Sequence, residues 1–282
     1  MSELRWLDAV ARLRTAREPG VLVTLASVRG HAPRAAGARL VVSATDAWGS
    51  IGGGNVEAVA IERARQMLAD GSTDAELVEV ALSDKAPYQH GVQCCGGTVQ
   101  VLFEPLPVVP AVAVFGIGHV GLELARILAR HDLELHLIDS RAEQLTDDRL
   151  AVLADAIAAV HVHHVPLLPE IVLGELPPGT HVLIMTHDHA EDMALCDAVL
   201  REGEFASIGL IGSAGKWARF QRHLTDAGHD PATIARITTP IGRSEITGKE
   251  PATIAVSVAA DLLVRFERQT RPNVQEAEHD RL

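Results

Sequence analysis

Aromatic side chains are scarce: one tyrosine, three tryptophans and five phenylalanines stand in a chain of 282 residues. So thin a supply argues against the stacking platforms on which proteins hold single-stranded nucleic acid. A basic excess is also missing. Twenty-five Lys and Arg face 37 Asp and Glu, a formal net charge of −12, which argues against nonspecific binding to phosphate backbones. An anionic ligand must then be held by backbone amides and a few placed cations. Three cysteines are too few for a secreted disulfide framework, and two of them, Cys94 and Cys95, are adjacent. No apolar run reaches membrane-spanning length; the longest, residues 252–264, is short and carries Asp261. The first residues have mixed charge and no apolar signal core. These absences lead us to expect a cytoplasmic protein with no nucleic-acid or membrane partner.

What is present is ordinary globular material, 47% hydrophobic, long enough for two domains. Residues 104–110 hold three prolines in seven positions and read as a linker. Before it, residues 1–105 read as a mixed α/β domain. Strands are expected at 21–28, 39–44, 76–82 and 98–103. A helix carries Val56, Ala60, Ala64 and Met67 on one face, with Asn55 as its N-cap. After the linker, residues 110–270 alternate strand and helix, which implies a parallel, Rossmann-like sheet. A helix over 252–265 is apolar on most sides and is expected in the core or a subunit interface. Residues 271–282 read as a flexible tail.

Four stretches carry chemistry. Gln93-Cys94-Cys95-Gly96-Gly97 places thiols beside a bare backbone, which suits a soft metal or a sulfur-transfer partner; two small residues in a tight turn are the plainer alternative. Gly116, Gly118 and Gly121 match the dinucleotide fingerprint between a strand and a helix. Gly116 would make the turn, Gly118 admit a pyrophosphate, and Gly121 let the helix pack closely. Asp139, at the end of the next strand, would accept from a ribose hydroxyl. His119 or His187 could serve a dehydrogenase as proton donor. Thr186-His187-Asp188-His189-Ala190-Glu191-Asp192 imitates a binuclear zinc motif, but Glu191 and Asp192 replace its last two ligands. His187 and Asp188 could instead cap the next helix, or His187 and His189 could line a ligand site at the strand's end. Gly212 to Lys216 imitates a phosphate loop, with Trp217 where a magnesium ligand belongs; Lys216 could face an anion or be a solvated surface residue.

Taken in order, the motifs Gly30-His31-Ala32-Pro33-Arg34, Gly49 to Glu57, the cysteine pentad, the glycine fingerprint, Ile138 to Arg141, Thr186 to His189, Gly209 to Ser213 and Pro240-Ile241-Gly242 resemble the XdhC/CoxI family of xanthine dehydrogenase accessory proteins. The resemblance implies a chaperone rather than an enzyme. It would bind molybdenum cofactor (molybdopterin) and pass it to a xanthine dehydrogenase, with a cysteine desulfurase supplying sulfur. It also implies that Cys94 and Cys95 hold the molybdenum. Read with it, the Gly52-Gly53-Gly54 run and the helix start behind it offer amides to the cofactor's phosphate, with Arg34 and Arg39 as placed cations. Glu57 reads as a first-turn acid favourable to the helix dipole. Gly96, Gly97, His119, His187, His189 and Lys216 complete the candidate cofactor-binding set. A homo-oligomer is expected. Thr239 stands where many relatives carry a cysteine before Pro-Ile-Gly, so no second, distant thiolate is expected. The competing function is an NAD(P)-dependent oxidoreductase working through the glycine fingerprint and its nucleotide.

Overall fold

The computed structural model describes residues 5–81 and 97–270. Leu82, the residues Gln93, Cys94, Cys95 and Gly96 of the pentad, and the tail 271–282 lie outside the described residues. The chain divides into two compact units, one ending at Val108 and one spanning Val109–Gln269.

The first unit is built on helix α1 (Trp6–Ala16), strands β1 (Gly20–Arg29), β2 (Arg39–Val42) and β3 (Ala47–Gly49), helix α2 (Gly54–Ala69), and strands β4 (Glu76–Ala81) and β5 (Thr98–Leu106). Its five strands form one antiparallel sheet in the order β3-β2-β1-β5-β4. Strand alternation sorts the two faces. Val21, Val23 and Leu25 of β1 meet Ala60, Ala64 and Met67 of α2. On the other face Ala9 and Leu13 of α1 pack with Val41 and Trp48.

Two sequence expectations change here. The proline-rich stretch starts as strand, with Pro105 opposite Val21. β4 pairs only as far as Phe103, so Pro105 has a strand on one side alone and its missing N–H breaks no second ladder. The cap of α2 also moves. The helix starts at Gly54 after Gly53, whose φ of 71° needs no side chain to turn the chain, and Asn55 lies buried inside the first turn.

The second unit runs β6 (Ala111–Phe115), α3 (His119–Leu128), β7 (Glu134–Asp139), α4 (Asp147–Leu150), β8 (Ala159–His164), β9 (His181–Ile184), α5 (His189–Arg201), β10 (Ser207–Leu210), α6 (Ala214–Asp226), α7 (Pro231–Ile234), β11 (Ile237–Thr238) and α8 (Pro251–Thr270). All strands are parallel, in the order β11-β10-β9-β6-β7-β8. This is the doubly wound order, and its switch point falls between β6 and β9. Every residue of β6 is buried, because both faces of that central strand are covered. Val112, Val114, Leu135 and Leu137 face Leu124 and Leu128 of α3. Ala113, Phe115, Ile138 and Ile184 face Leu195, Val199 and Phe220. α8 is less uniformly apolar in its setting than its composition suggests. Ala255, Val258, Ala259 and Leu262 are buried at one-face spacing, while Val256 is 52% exposed. Among the described residues no helix is long and apolar enough to cross a membrane.

The fingerprint glycines differ in what they permit. A Cβ on Gly121 would stand 2.1 Å from the Gly116 carbonyl oxygen, whereas one on Gly118 would meet nothing within 4 Å. Gly121→Ala should therefore cost about 2 kcal/mol or more by overpacking, and Gly118→Ala should stay within about 0.5 kcal/mol of the parent. Urea unfolding of the two variants checks this; equal midpoints would refute it.

Candidate functional site

In the first unit, three sequence motifs meet at one end of the antiparallel sheet. A Cβ on Gly97 would lie 2.5 Å from the His31 carbonyl oxygen and 2.6 Å from that of Arg29. A Cβ on Gly52, at φ 131°, would lie 2.5 Å from Pro33 Cγ and 3.5 Å from Arg34 Cγ. The loop after β1 is thus held between the end of the cysteine pentad and the glycine turn before α2, and only glycine fits at either contact.

Glu57 organises that turn. Its Oε2 accepts from the Ser50 hydroxyl at 2.6 Å and from the amides of Ile51 and Gly53 at 3.1 and 3.0 Å. The Gly52 amide donates to Ser50 Oγ at 3.1 Å. This corrects the reading of Gly52 and Gly53 as bare amides and of Glu57 as a dipole acid alone. The first-turn amides of α2, which no helix carbonyl can reach, are the ones that Glu57 leaves over. Beside them, Asn55 Oδ1 is buried without a hydrogen-bond partner. An open groove of about 390 Å³ is lined by Arg34, Arg39, Trp6, Gly49 and Ser50 among others. The Arg39 guanidinium lies 4.3 Å from the Trp6 ring centroid, and its Nε is buried with no hydrogen bond. Arg34 is exposed.

In the second unit the candidates gather at the C-terminal ends of β6, β7 and β9. Gly116, at φ 102°, lies so close to β9 that a Cβ would stand 2.4 Å from the Met185 carbonyl oxygen. His119 is the exposed first residue of α3. Asp139 is not offered to a ribose. Its Oδ2 accepts from the Ile117 amide at 2.7 Å and Arg141 Nη2 at 3.0 Å, and its Oδ1 from the Arg141 amide and Nε at 2.9 and 3.0 Å. Burial pushes this carboxyl's pKa up, but Arg141 and the two amides outweigh burial and hold it below the usual range. The acid is the brace of the glycine loop.

The stretch after β9 also resolves. Asp188 caps α5, accepting from the Ala190 amide at 2.7 Å, while His187 is exposed and takes no capping bond. His189 opens the helix and meets Arg219 Nη2 through Nδ1 at 3.0 Å. Glu191 turns to the Ser140 hydroxyl at 3.0 Å; burial pushes its pKa up. Asp192 is fully buried and accepts from the Thr186 amide and hydroxyl at 3.0 and 2.8 Å. These directions do not gather zinc ligands. Lys216 is neither solvated nor turned to an anionic ligand. Its Nζ donates to Asp192 and, at 2.9 Å, to the Ile211 carbonyl. Sequence reasoning missed Asp192 and Glu57 as loop braces. The available signal was an acid one turn into a helix behind a tight turn.

Together these features define a doubly wound Rossmann domain joined to an antiparallel α/β domain whose glycine motifs converge. A sequence model described as the XdhC Rossmann domain matches residues 112–262, and one described as the XdhC and CoxI family matches residues 13–80. The chain belongs to the XdhC and CoxI family. It is 27% identical over 253 residues to the uncharacterized protein YqeB of Escherichia coli K12, covering 90% of this chain and 44% of that one. The chain thus spans under half the length of this curated relative. A crystal structure from Bacillus halodurans, described as a xanthine dehydrogenase, is similar at 19% identity and a TM-score of 0.47, covering 96% of this chain and 97% of that one.

The buried pair sets a stability test. Lys216→Met would leave Asp192 charged and without its cation and should cost about 3–5 kcal/mol, with Asp192→Asn in the same chain restoring part of the loss. Chemical denaturation of the single and double variants measures it. A loss under about 1 kcal/mol would place the pair among exposed ion pairs instead.

Proposed function

We propose that this protein binds molybdenum cofactor and delivers it to a xanthine dehydrogenase, acting as a carrier and not as a catalyst of bond chemistry. The observation that carries the reading is the meeting of Gly97, the Gly30 to Arg34 loop and the Gly52 to Gly54 turn in one place. From Gly97 the chain leads directly through Gly96 to Cys95 and Cys94.

The residues present fit such a group. Cys94 and Cys95 would hold molybdenum, whose sulfur-rich coordination suits soft thiolates. The first-turn amides of α2 would face the phosphate, with Arg34 and Arg39 supplying local positive charge in an acidic chain. The bound group supplies the molybdenum centre that the recipient enzyme uses. Two adjacent cysteines in a chain with only three suit a reducing, cytoplasmic setting. A cysteine desulfurase would complete the sulfur ligand, and the carrier would work as a homo-oligomer.

Reconstitution with the cofactor tests this. The Cys94→Ala/Cys95→Ala variant should lose roughly tenfold or more of bound molybdenum, with Cys95→Ala the more damaging single change. Full retention by the double variant would overturn the assignment.

A second reading rests on the switch point of the other unit. Gly118 leaves open space in front of the α3 N-terminus, which suits a phosphate-bearing nucleotide. Because Asp139 is engaged, NAD and NADP should bind with similar affinity in calorimetry, and Gly118→Val should abolish the heat. Absence of heat with NAD, NADP and CTP at about millimolar levels would leave the fingerprint as a packing device only.

A further inference from the structure

β7 and β8 carry a group of side chains that neither reading uses. Their parallel register sets Glu134 opposite Ala159, His136 opposite His161, and Ile138 opposite His163. Side chains two apart on a strand share a face, so Glu134, His136, His161 and His163 all emerge on the same side. β8 is the edge strand, and His161 and Val162 are exposed on it.

The rings are arranged, not scattered. His136 stacks on His161 with centroids 4.7 Å apart and planes at 20°. His136 Nδ1 lies 3.2 Å from His163 Nε2, and His136 Nε2 lies 3.9 Å from Glu134 Oε2. Ligand atoms of Glu134, His136 and His161 all lie within 4.8 Å of one another. Around a zinc ion with bonds of about 2.1 Å, neighbouring ligand atoms stand roughly 3.4 Å apart. An ion lies in the plane of each imidazole that holds it, so the exposed His161 would swing out of its stack on His136 to bind, with Glu134 closing the last few tenths of an ångström.

From this geometry we infer a divalent transition-metal site on the edge of the parallel sheet, ligated by Glu134, His136 and His161, with His163 orienting His136. With a metal on His136 Nε2, the Nδ1 proton would be given to His163 Nε2, 3.2 Å away. That bond fixes the tautomer and turns the Nε2 lone pair toward Glu134 and His161. Two imidazoles and one carboxylate suit zinc and leave its fourth position to water or to a ligand from another molecule.

The test uses full-length, chelator-treated protein carrying Cys94→Ser and Cys95→Ser, so that no thiol pair competes. Titration with Co²⁺ should give one visible-absorbing ion per chain, displaced by Zn²⁺. His161→Ala and Glu134→Gln should each weaken binding by about tenfold or more. His164→Ala, altered on the opposite face of β8, should bind like its parent. His136→Ala touches a buried ring and can fail by misfolding, so the exposed His161 carries the decision. Nitrogen-edited NMR of the imidazoles gives a second readout: zinc should shift His136 and His161 and leave His119 in place. Absence of binding up to about millimolar metal, or unchanged binding by both His161→Ala and Glu134→Gln, would overturn the site.

Discussion

Buried or half-buried carboxylates that accept loop amides are the constraint on which both candidate regions depend. Glu57 takes the amides of Ile51 and Gly53, Asp139 takes that of Ile117, and Asp192 takes that of Thr186. Each loop follows a strand and must reverse into a helix, so it exposes donors that no ladder satisfies. Leaving such a donor buried and unmet costs about 1–3 kcal/mol. A carboxylate supplied by the following helix or the adjacent strand removes that cost. It also fixes the loop in one shape, a precondition for any backbone-lined binding site.

The braces decide which amides remain for a ligand. In the glycine turn before α2 the acid consumes Ile51 and Gly53 and leaves the helix's own first turn. In the fingerprint loop it consumes Ile117 and leaves the amides beyond Gly118. An anion bound at either place would therefore meet a helix N-terminus and not the loop amides that the glycines first suggest. The glycines serve close approach: Gly97 to the backbone of Arg29 and His31, Gly52 to Pro33, Gly116 to Met185.

Much of this was legible in the sequence. The alternation after residue 110 gave the parallel sheet, and the spacing of Gly116, Gly118 and Gly121 gave the strand, turn and helix around them. Short pieces were not legible: β3 and β11 have three and two residues, too few for a period to register. Partner choice was not legible either. Asp139 ends its strand where a ribose acceptor belongs, and only the fold shows Arg141 bending back onto it. Lys216 follows a glycine-rich stretch, and only the packing of α5 against α6 reveals Asp192 as its counter-ion. The two histidine-bearing strands are adjacent only because β8 pairs with β7, a register that alternation alone does not fix. The placement of Cys94 and Cys95 lies outside the described residues.

Charge then separates the roles of the two units. In an acidic chain an anionic cofactor needs positive charge that is not already neutralised. In the Rossmann unit Arg141 is bound to Asp139 and Lys216 to Asp192, whereas Arg149 reaches the fingerprint loop through backbone carbonyls, its Nη2 donating to the Ile117 oxygen at 3.2 Å. In the other unit Arg39 lies stacked on Trp6 with its Nε unbonded, and Arg34 lines the same groove. A guanidinium held by ring stacking instead of by an acid, as Arg39 is, keeps donors for a phosphate. That groove adjoins the glycine motifs through Arg34 and Ser50, while Arg39 faces α1 with Trp6. The Rossmann unit adds a helix N-terminus and, beside it, the guanidinium of Arg149 on the Ile117 carbonyl. What sets the first unit apart is therefore not charge alone but the two thiols that the sequence places just before Gly97.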